Sequence, residues 1–176
     1  MGTQYKSLKD KDIEFIKQQK LFYIASSSGK EVNLSPKGYN TIRVLDNGHI
    51  LFLDYPGSGN RTYRDAVNGG EFTILFNAFE GDANILRLFC KARVVEHKSE
   101  EFYRYLELFG EQESLVRNFF IFTIYAVETS CGDGVPYMEY KGDRNQLKDW
   151  VVKMDKNKRL EKYKDEHSIP PNLEDI

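Results

Sequence analysis

The chain has 176 residues and a formal net charge of -2, from 25 basic and 27 acidic side chains. With no basic excess to displace counterions, the balance argues against a nucleic-acid protein held by phosphate neutralisation, and no apolar run approaches the ~18 residues of a membrane span. The two cysteines, Cys90 and Cys131, stand far apart and form no CxxC pair, which argues against a disulfide framework and against a cysteine-based zinc site.

The length suits a single domain over 1–176 with a real core, and 12 Phe with 11 Tyr point to an aromatic, β-rich one. The N-terminus, MGTQYKSLKDKD, lacks an apolar signal core, so a soluble, cytoplasmic protein is expected. Residues 8–20 place Leu8, Ile13, Phe15 and Ile16 near one side of a short helix, with Asp10 or Asp12 available to cap it. A compact β run, Leu21–Ala25, ends at the Ser26–Gly29 turn and returns through Glu31–Leu34. Ser35-Pro36-Lys37-Gly38 reads as a loop, since Pro and Gly oppose regular structure. Thr41–Leu45, the turn Asp46-Asn47-Gly48 and the buried run His49–Leu53 make a hairpin.

Asp54–Gly70 follows (DYPGSGNRTYRDAVNGG). Its glycines stop the strand, Ser58 or Asn60 can cap a helix from Arg61 to about Val67, and Asn68-Gly69-Gly70 supply left-handed residues for its end. A strand, a glycine turn, a helix start and Arg61 together suit an anion. On this stretch alone the plainer reading, a polar turn before a capped helix, carries more weight, because short glycine motifs recur widely.

Glu71–Phe79 and Ile85–Val95 read as long strands, the second with Leu86, Leu88, Cys90, Ala92 and Val94 on its core face. Ser99 caps a helix whose Phe102, Tyr105, Leu106 and Phe109 form an apolar stripe. Leu115–Thr129 is apolar on both faces, Phe120, Phe122, Ile124 and Ala126 alternating with Ile121, Thr123, Tyr125 and Val127. It is therefore central or at an oligomer interface. From Asp143 a helix runs through Leu147, Trp150, Val151 and Met154, and a charged tail wraps the surface or a partner, so 143–176 forms a C-terminal helix and tail. Six or seven strands with hairpin-sized connections and three or four short helices predict a mainly β fold, an antiparallel sheet closed into a barrel with peripheral helices.

Walker, Rossmann and GxSxG sequences are absent, and His49, His97 and His167 show no metal-ligand spacing. What recurs is a polar loop at strand ends: Ser35–Gly38, Gly59–Thr62 and Ser130–Gly132. If the barrel joins the first two, Lys37 and Arg61 can neutralise one dianionic phosphate.

At these residues the sequence resembles the pyridoxamine 5′-phosphate oxidase-like, FMN-binding split-barrel proteins, and within them a branch of pyridoxamine 5′-phosphate oxidase-related flavoproteins. The matching segments are Val32-Asn33-Leu34-Ser35-Pro36-Lys37-Gly38, then Leu53-Asp54-Tyr55 before Gly59-Asn60-Arg61-Thr62, then Ser130-Cys131-Gly132 with Val135-Pro136. Their order and separation agree over roughly residues 10–140. In the tail, Ser168 and Ile169 match and Pro170-Pro171 departs.

The resemblance implies a homodimeric split barrel with FMN at the interface. It assigns Lys37, Arg61 and Thr62 to the FMN phosphate, with Ser35 and Asn60 as supporting donors. Leu53, Asp54 and Tyr55 would line the ribityl chain or flavin edge, and Val32 and Asn33 would approach the isoalloxazine. The Cys131–Gly132 loop would close the site, from either subunit. The implied activity is that of a flavin-dependent oxidoreductase on a small-molecule substrate or electron acceptor. The alternatives are a flavin-sensing or storage protein, or a split barrel that binds haem or a deazaflavin.

Overall fold

Strands built on a two-residue apolar period pair into one antiparallel path. In the computed structural model, which describes residues 2–171 and 173, the first strand is β1 (Thr3–Tyr5), followed by β2 (Phe22–Ser27), β3 (Asn33–Lys37), β4 (Ile42–Asp46), β5 (His49–Asp54), β6 (Glu71–Asn77), β7 (Ile85–Val95) and β8 (Asn118–Ser130). Their order across the sheet is β3-β2-β6-β7-β8-β5-β4. β8 is so long that β5 pairs only its Asn118–Thr123 half, and β1 pairs Val127–Thr129. The path ends at β3 and β4 and stays open there, so the fold is the expected antiparallel split barrel with peripheral helices. Those helices are α1 (Asp10–Gln18), α2 (Arg61–Val67), α3 (Glu100–Leu106), α4 (Gln146–Lys156) and α5 (Leu160–Glu166).

Two cores lie on opposite faces of β8. Phe120, Phe122 and Ile124 join Phe22, Phe72, Phe76 and Ile74 inside the barrel. Phe119 and Ile121 point the other way, into Leu51, Leu53, Val95 and Phe102, where Tyr105 and Leu106 of α3 and Phe109 in the turn after it cover them. The two-faced apolar pattern is thus explained by a central strand. A third cluster, Leu115, Val151 and Leu160, fastens α4 and α5 to the chain just before β8.

Several expectations need correction. Ser35-Pro36-Lys37 is strand, not loop: it belongs to β3, the last strand of the sheet, with Pro36 opposite Tyr23. An edge strand leaves one row of N–H groups unpaired in any case, so a proline is tolerated there. Leu115 lies in a 3-10 turn, and β8 begins at Asn118. Within β8, Phe89 faces Ala126 while Cys90 faces Ile124, so Tyr125 is an extra, bulged residue. The bulge shifts the phase, and Val127 takes the core position expected for Ala126. The charged tail contains a second helix, α5, and the part of it at 172 and 174–176 lies outside the described residues. Neither Ser58 nor Asn60 caps α2 with its side chain, although Asn60 occupies the N-cap position. Nor does an aspartate side chain sit at the N-cap of α1, where Lys9 stands: Asp12, inside the first turn, instead takes the Lys9 N–H at 2.8 Å.

α2 is pinned to the barrel by Asp65, which is fully buried. Its carboxylate accepts Ser26 Oγ and Ser28 Oγ, each at 2.7 Å, and the Arg64 guanidinium at 2.7 and 3.0 Å. Gly70 lets the chain leave α2 closely, since a Cβ there would meet the Ser27 and Asp65 carbonyl oxygens at 2.6 and 2.8 Å. Burial alone raises the Asp65 carboxyl, but the Ser26, Ser28 and Arg64 bonds together hold it below its ordinary value. A lowered carboxyl stabilises the fold above its unfolded pKa, and that contribution is lost as pH falls through the folded value. Asp65→Asn therefore destabilises the protein at pH 7 by about 3 kcal/mol in urea unfolding, and the difference from wild type shrinks below about pH 4.

Candidate functional site

One cavity of about 300 Å³ opens where β3, the end of β5 and the start of α2 meet. Strand alternation aims Asn33, Ser35 and Lys37 at it, Pro36 adds to the edge of the lining, and Leu34 faces outward. β5 ends in Asp54, the turn through Gly57, Ser58 and Gly59 forms one rim, and Arg61 with Thr62 opens α2. The wall is braced from behind. Asn33 Nδ2 donates to Ser26 Oγ at 3.1 Å and to Thr62 Oγ1 at 3.3 Å, and Ser26 passes the network on to buried Asp65.

The floor carries opposed charges. Asp54 has a side chain only 14% exposed, with Arg117 Nε 3.6 Å away. Burial pushes its carboxyl up, against the pull of Lys37 and Arg117. Lys37 Nζ lies 5.4 Å from the centre of the Phe52 ring. At the rim Arg61 Nε meets Glu31 Oε1 at 3.3 Å, and Arg64 holds the same carboxylate. The Arg64 bond is the main cause that keeps Glu31 below its ordinary value, so Glu31 is an anion at neutral pH.

The C-terminal segment lies across this site. Asn60 Nδ2 donates to the Ser168 carbonyl at 2.7 Å, and Arg61 Nη2 donates to the Pro171 carbonyl at 3.2 Å. α4 contributes Leu147 to the lining. Next to it, Lys148 Nζ donates to Glu111 Oε1 at 2.7 Å and sits 5.3 and 5.2 Å from the Tyr39 and Tyr55 ring centres. Tyr55 donates its hydroxyl to the same Glu111 oxygen at 2.7 Å, and burial, with Glu111 beside it, pushes that hydroxyl up to about 12.

Of the residues singled out from sequence, Asn33, Ser35, Lys37, Asp54, Tyr55, Asn60, Arg61 and Thr62 line the one cavity. Val32 stands beside it, 75% exposed, and Leu53 turns into the second core. Cys131 and Gly132 are elsewhere. They follow the Ser130 end of β8, which pairs with Ile85, whereas the Asn118 end pairs with Asp54 at the cavity. The two ends are separated by roughly 40 Å of strand. Gly132 packs there against the backbone, where a Cβ would lie 2.8 Å from Asn84 N.

Sequence reasoning missed Glu31, Asp65, Arg117 and the tail carbonyls. Arg117 left one signal, a lone charge interrupting the apolar run LVRNFF. The tail left only the match at Ser168 and Ile169, because it engages the site through backbone oxygens that residue types do not display.

The fold and cavity define an antiparallel split barrel with a polar, doubly cationic pocket at the β3–α2 junction. No protein-family model matches the chain. The chain is 33% identical over 149 residues to the pyridoxamine 5′-phosphate oxidase family protein ustO of Aspergillus flavus, an alignment that takes in 81% of this chain and 59% of that protein. It therefore spans about three-fifths of the length of that relative. Among solved structures, HupZ of Group A Streptococcus superposes with a TM-score of 0.57 at 14% identity, over 68% of this chain and 91% of HupZ. A putative pyridoxamine 5′-phosphate oxidase of Lactobacillus delbrueckii does so with a TM-score of 0.55 at 15% identity, over 70% and 98%. The likeness to the solved structures is one of fold, and the likeness in sequence is to a pyridoxamine 5′-phosphate oxidase family protein.

Because Lys148 ties α4 to Glu111, Lys148→Met loosens the helix that closes the cavity. The expected result is a loss of about 1 kcal/mol in urea unfolding, with faster hydrogen exchange confined to α4, α5 and the tail.

Proposed function

We propose that the cavity is the phosphate end of a flavin mononucleotide site, and that the protein is a flavin-dependent oxidoreductase acting on a small-molecule substrate or electron acceptor. The observation that carries this reading is the convergence of Lys37, Arg61 and Thr62, with Asn33, Ser35 and Asn60, on one cavity. The chemistry of the donor set fits the group. Two cations oppose a dianion, and hydroxyl and amide side chains satisfy the remaining phosphate oxygens. α2, with seven residues, contributes little dipole, so the side chains carry the attraction. An arriving phosphate offers Arg61 an anionic acceptor in place of the neutral Pro171 carbonyl, which is a stronger bond.

The size also fits a part of the cofactor. About 300 Å³ is the small end of ligand-pocket volumes, enough for phosphate and sugar chain. The flat isoalloxazine needs further apolar surface, and Val32 and Leu34, 75% and 65% exposed at the neighbouring edge, supply it. FMN, when bound, supplies one- and two-electron transfer. This chain's residues grip the phosphate and orient the cofactor. Tyr55, its hydroxyl committed to Glu111, stays protonated at neutral pH and serves as a wall, not as a proton carrier. Any contribution from the Cys131–Gly132 loop has to come from a second chain, in keeping with a homodimer that shares its sites. The name of the ustO family supports the flavin-enzyme reading. Haem draws no such support, since none of His49, His97 and His167 lines the cavity.

The purified protein is expected to be yellow and to release FMN on denaturation, and NADH or NADPH is expected to reduce it with turnover on quinone acceptors. A flavin-loaded protein without turnover would indicate a sensing or storage role, and a Soret band would indicate haem. Arg61→Ala and Lys37→Ala each weaken FMN binding by about 1.5–3 kcal/mol, while riboflavin binding changes little. Unchanged FMN affinity in both variants overturns the site.

A further inference from the structure

We propose that Arg117 is a positioning residue, which holds the Gly57–Asn60 loop in the shape that presents it to a phosphate. The proposal rests on the flavin-phosphate reading above and assigns a role to a residue behind the cavity, not in its lining.

Arg117 sits immediately before β8, and its N–H bonds the Asp54 carbonyl at 2.8 Å, so its backbone is fixed at the cavity floor. Its side chain is 10% exposed. The guanidinium forks onto the loop: Nη2 donates to the Gly57 carbonyl at 2.6 Å and Nη1 to the Gly59 carbonyl at 3.1 Å. In a trans peptide the carbonyl and the following N–H point in opposite directions. Pulling the Gly57 and Gly59 oxygens toward Arg117 therefore turns the Ser58 and Asn60 N–H groups away from it. Gly57, Ser58, Gly59 and Asn60 all line the cavity and Arg117 does not, so those N–H groups turn to the cavity side.

The role is geometric and not one of charge. Asp54 Oδ2 lies 3.6 Å from Arg117 Nε, so the carboxylate offsets the cation. Arg117 Nε is itself buried without a hydrogen-bond partner, which leaves the loop carbonyls as the side chain's hydrogen-bonded anchor. A planar fork holds two carbonyls two residues apart in one fixed geometry, whereas an ammonium on a flexible stem can reach both but does not fix their directions.

The test compares FMN with riboflavin, which lacks the phosphate. Arg117→Lys keeps the charge and loses the fork. It is expected to lower FMN affinity about tenfold, as for lost charge-assisted bonds, while riboflavin affinity moves less than about threefold. Arg117→Met behaves alike. If Arg117→Lys keeps the wild-type ratio of the two affinities, or weakens both ligands equally, positioning is overturned. A wild-type protein that binds FMN no better than riboflavin takes down the phosphate reading itself, a distinct result. Should neither variant fold, nitrogen-detected NMR of the unmutated protein decides. FMN should shift the Ser58 and Asn60 amides strongly and the Arg117 guanidinium little, and the reverse pattern overturns the proposal.

Discussion

The structure depends on one strand buried from both sides. β8 is paired along both edges and sends Phe119 and Ile121 into one core and Phe120, Phe122 and Ile124 into another. Each fully buried aromatic contributes roughly 2–3 kcal/mol of transfer free energy, so the strand carries much of the stability of both faces. Because a one-residue slip would send every side chain to the wrong core, its register is tightly specified. That fixity is handed to the site, since the start of β8 lies against Asp54 and carries Arg117 under the glycine turn.

The cavity itself is polar on a rigid apolar base. A chain of bonds from Asp65 through Ser26 and Asn33 to Thr62 ties two strands and a helix together behind it. Fully satisfied networks of this kind rigidify what they connect. The network thereby fixes the elements from which Asn33, Ser35, Lys37, Arg61 and Thr62 line the cavity, which is how a small donor set is held in place for a ligand.

Much of this was legible from residue order. The two-residue period located β5, β6 and β7 within a residue or two, and the Ser99 cap and α3 stripe located α3, because those signals are local. Pro36 misled, because whether a proline is tolerated depends on a strand's place in the sheet, and residue order does not display that. The bulge at Tyr125 was hidden for a similar reason: it is defined by the partner strand. α5 escaped because its sequence, LEKYKDE, is charged and buries chiefly Leu160. The convergence of the β3 and α2 residues depended on a resemblance, since nothing local joins positions about 30 residues apart.

The bond from Asn60 to Ser168 spans 108 residues, and the one from Arg61 to Pro171 spans 110. Chains emerge from the ribosome N-terminus first, at a few to some tens of residues per second. The barrel strands and the glycine turn are therefore synthesised before the segment that lies across them. Until that segment arrives Asn60 and Arg61 lack the Ser168 and Pro171 carbonyls, so the contacts that cross the site are among the last the chain can make.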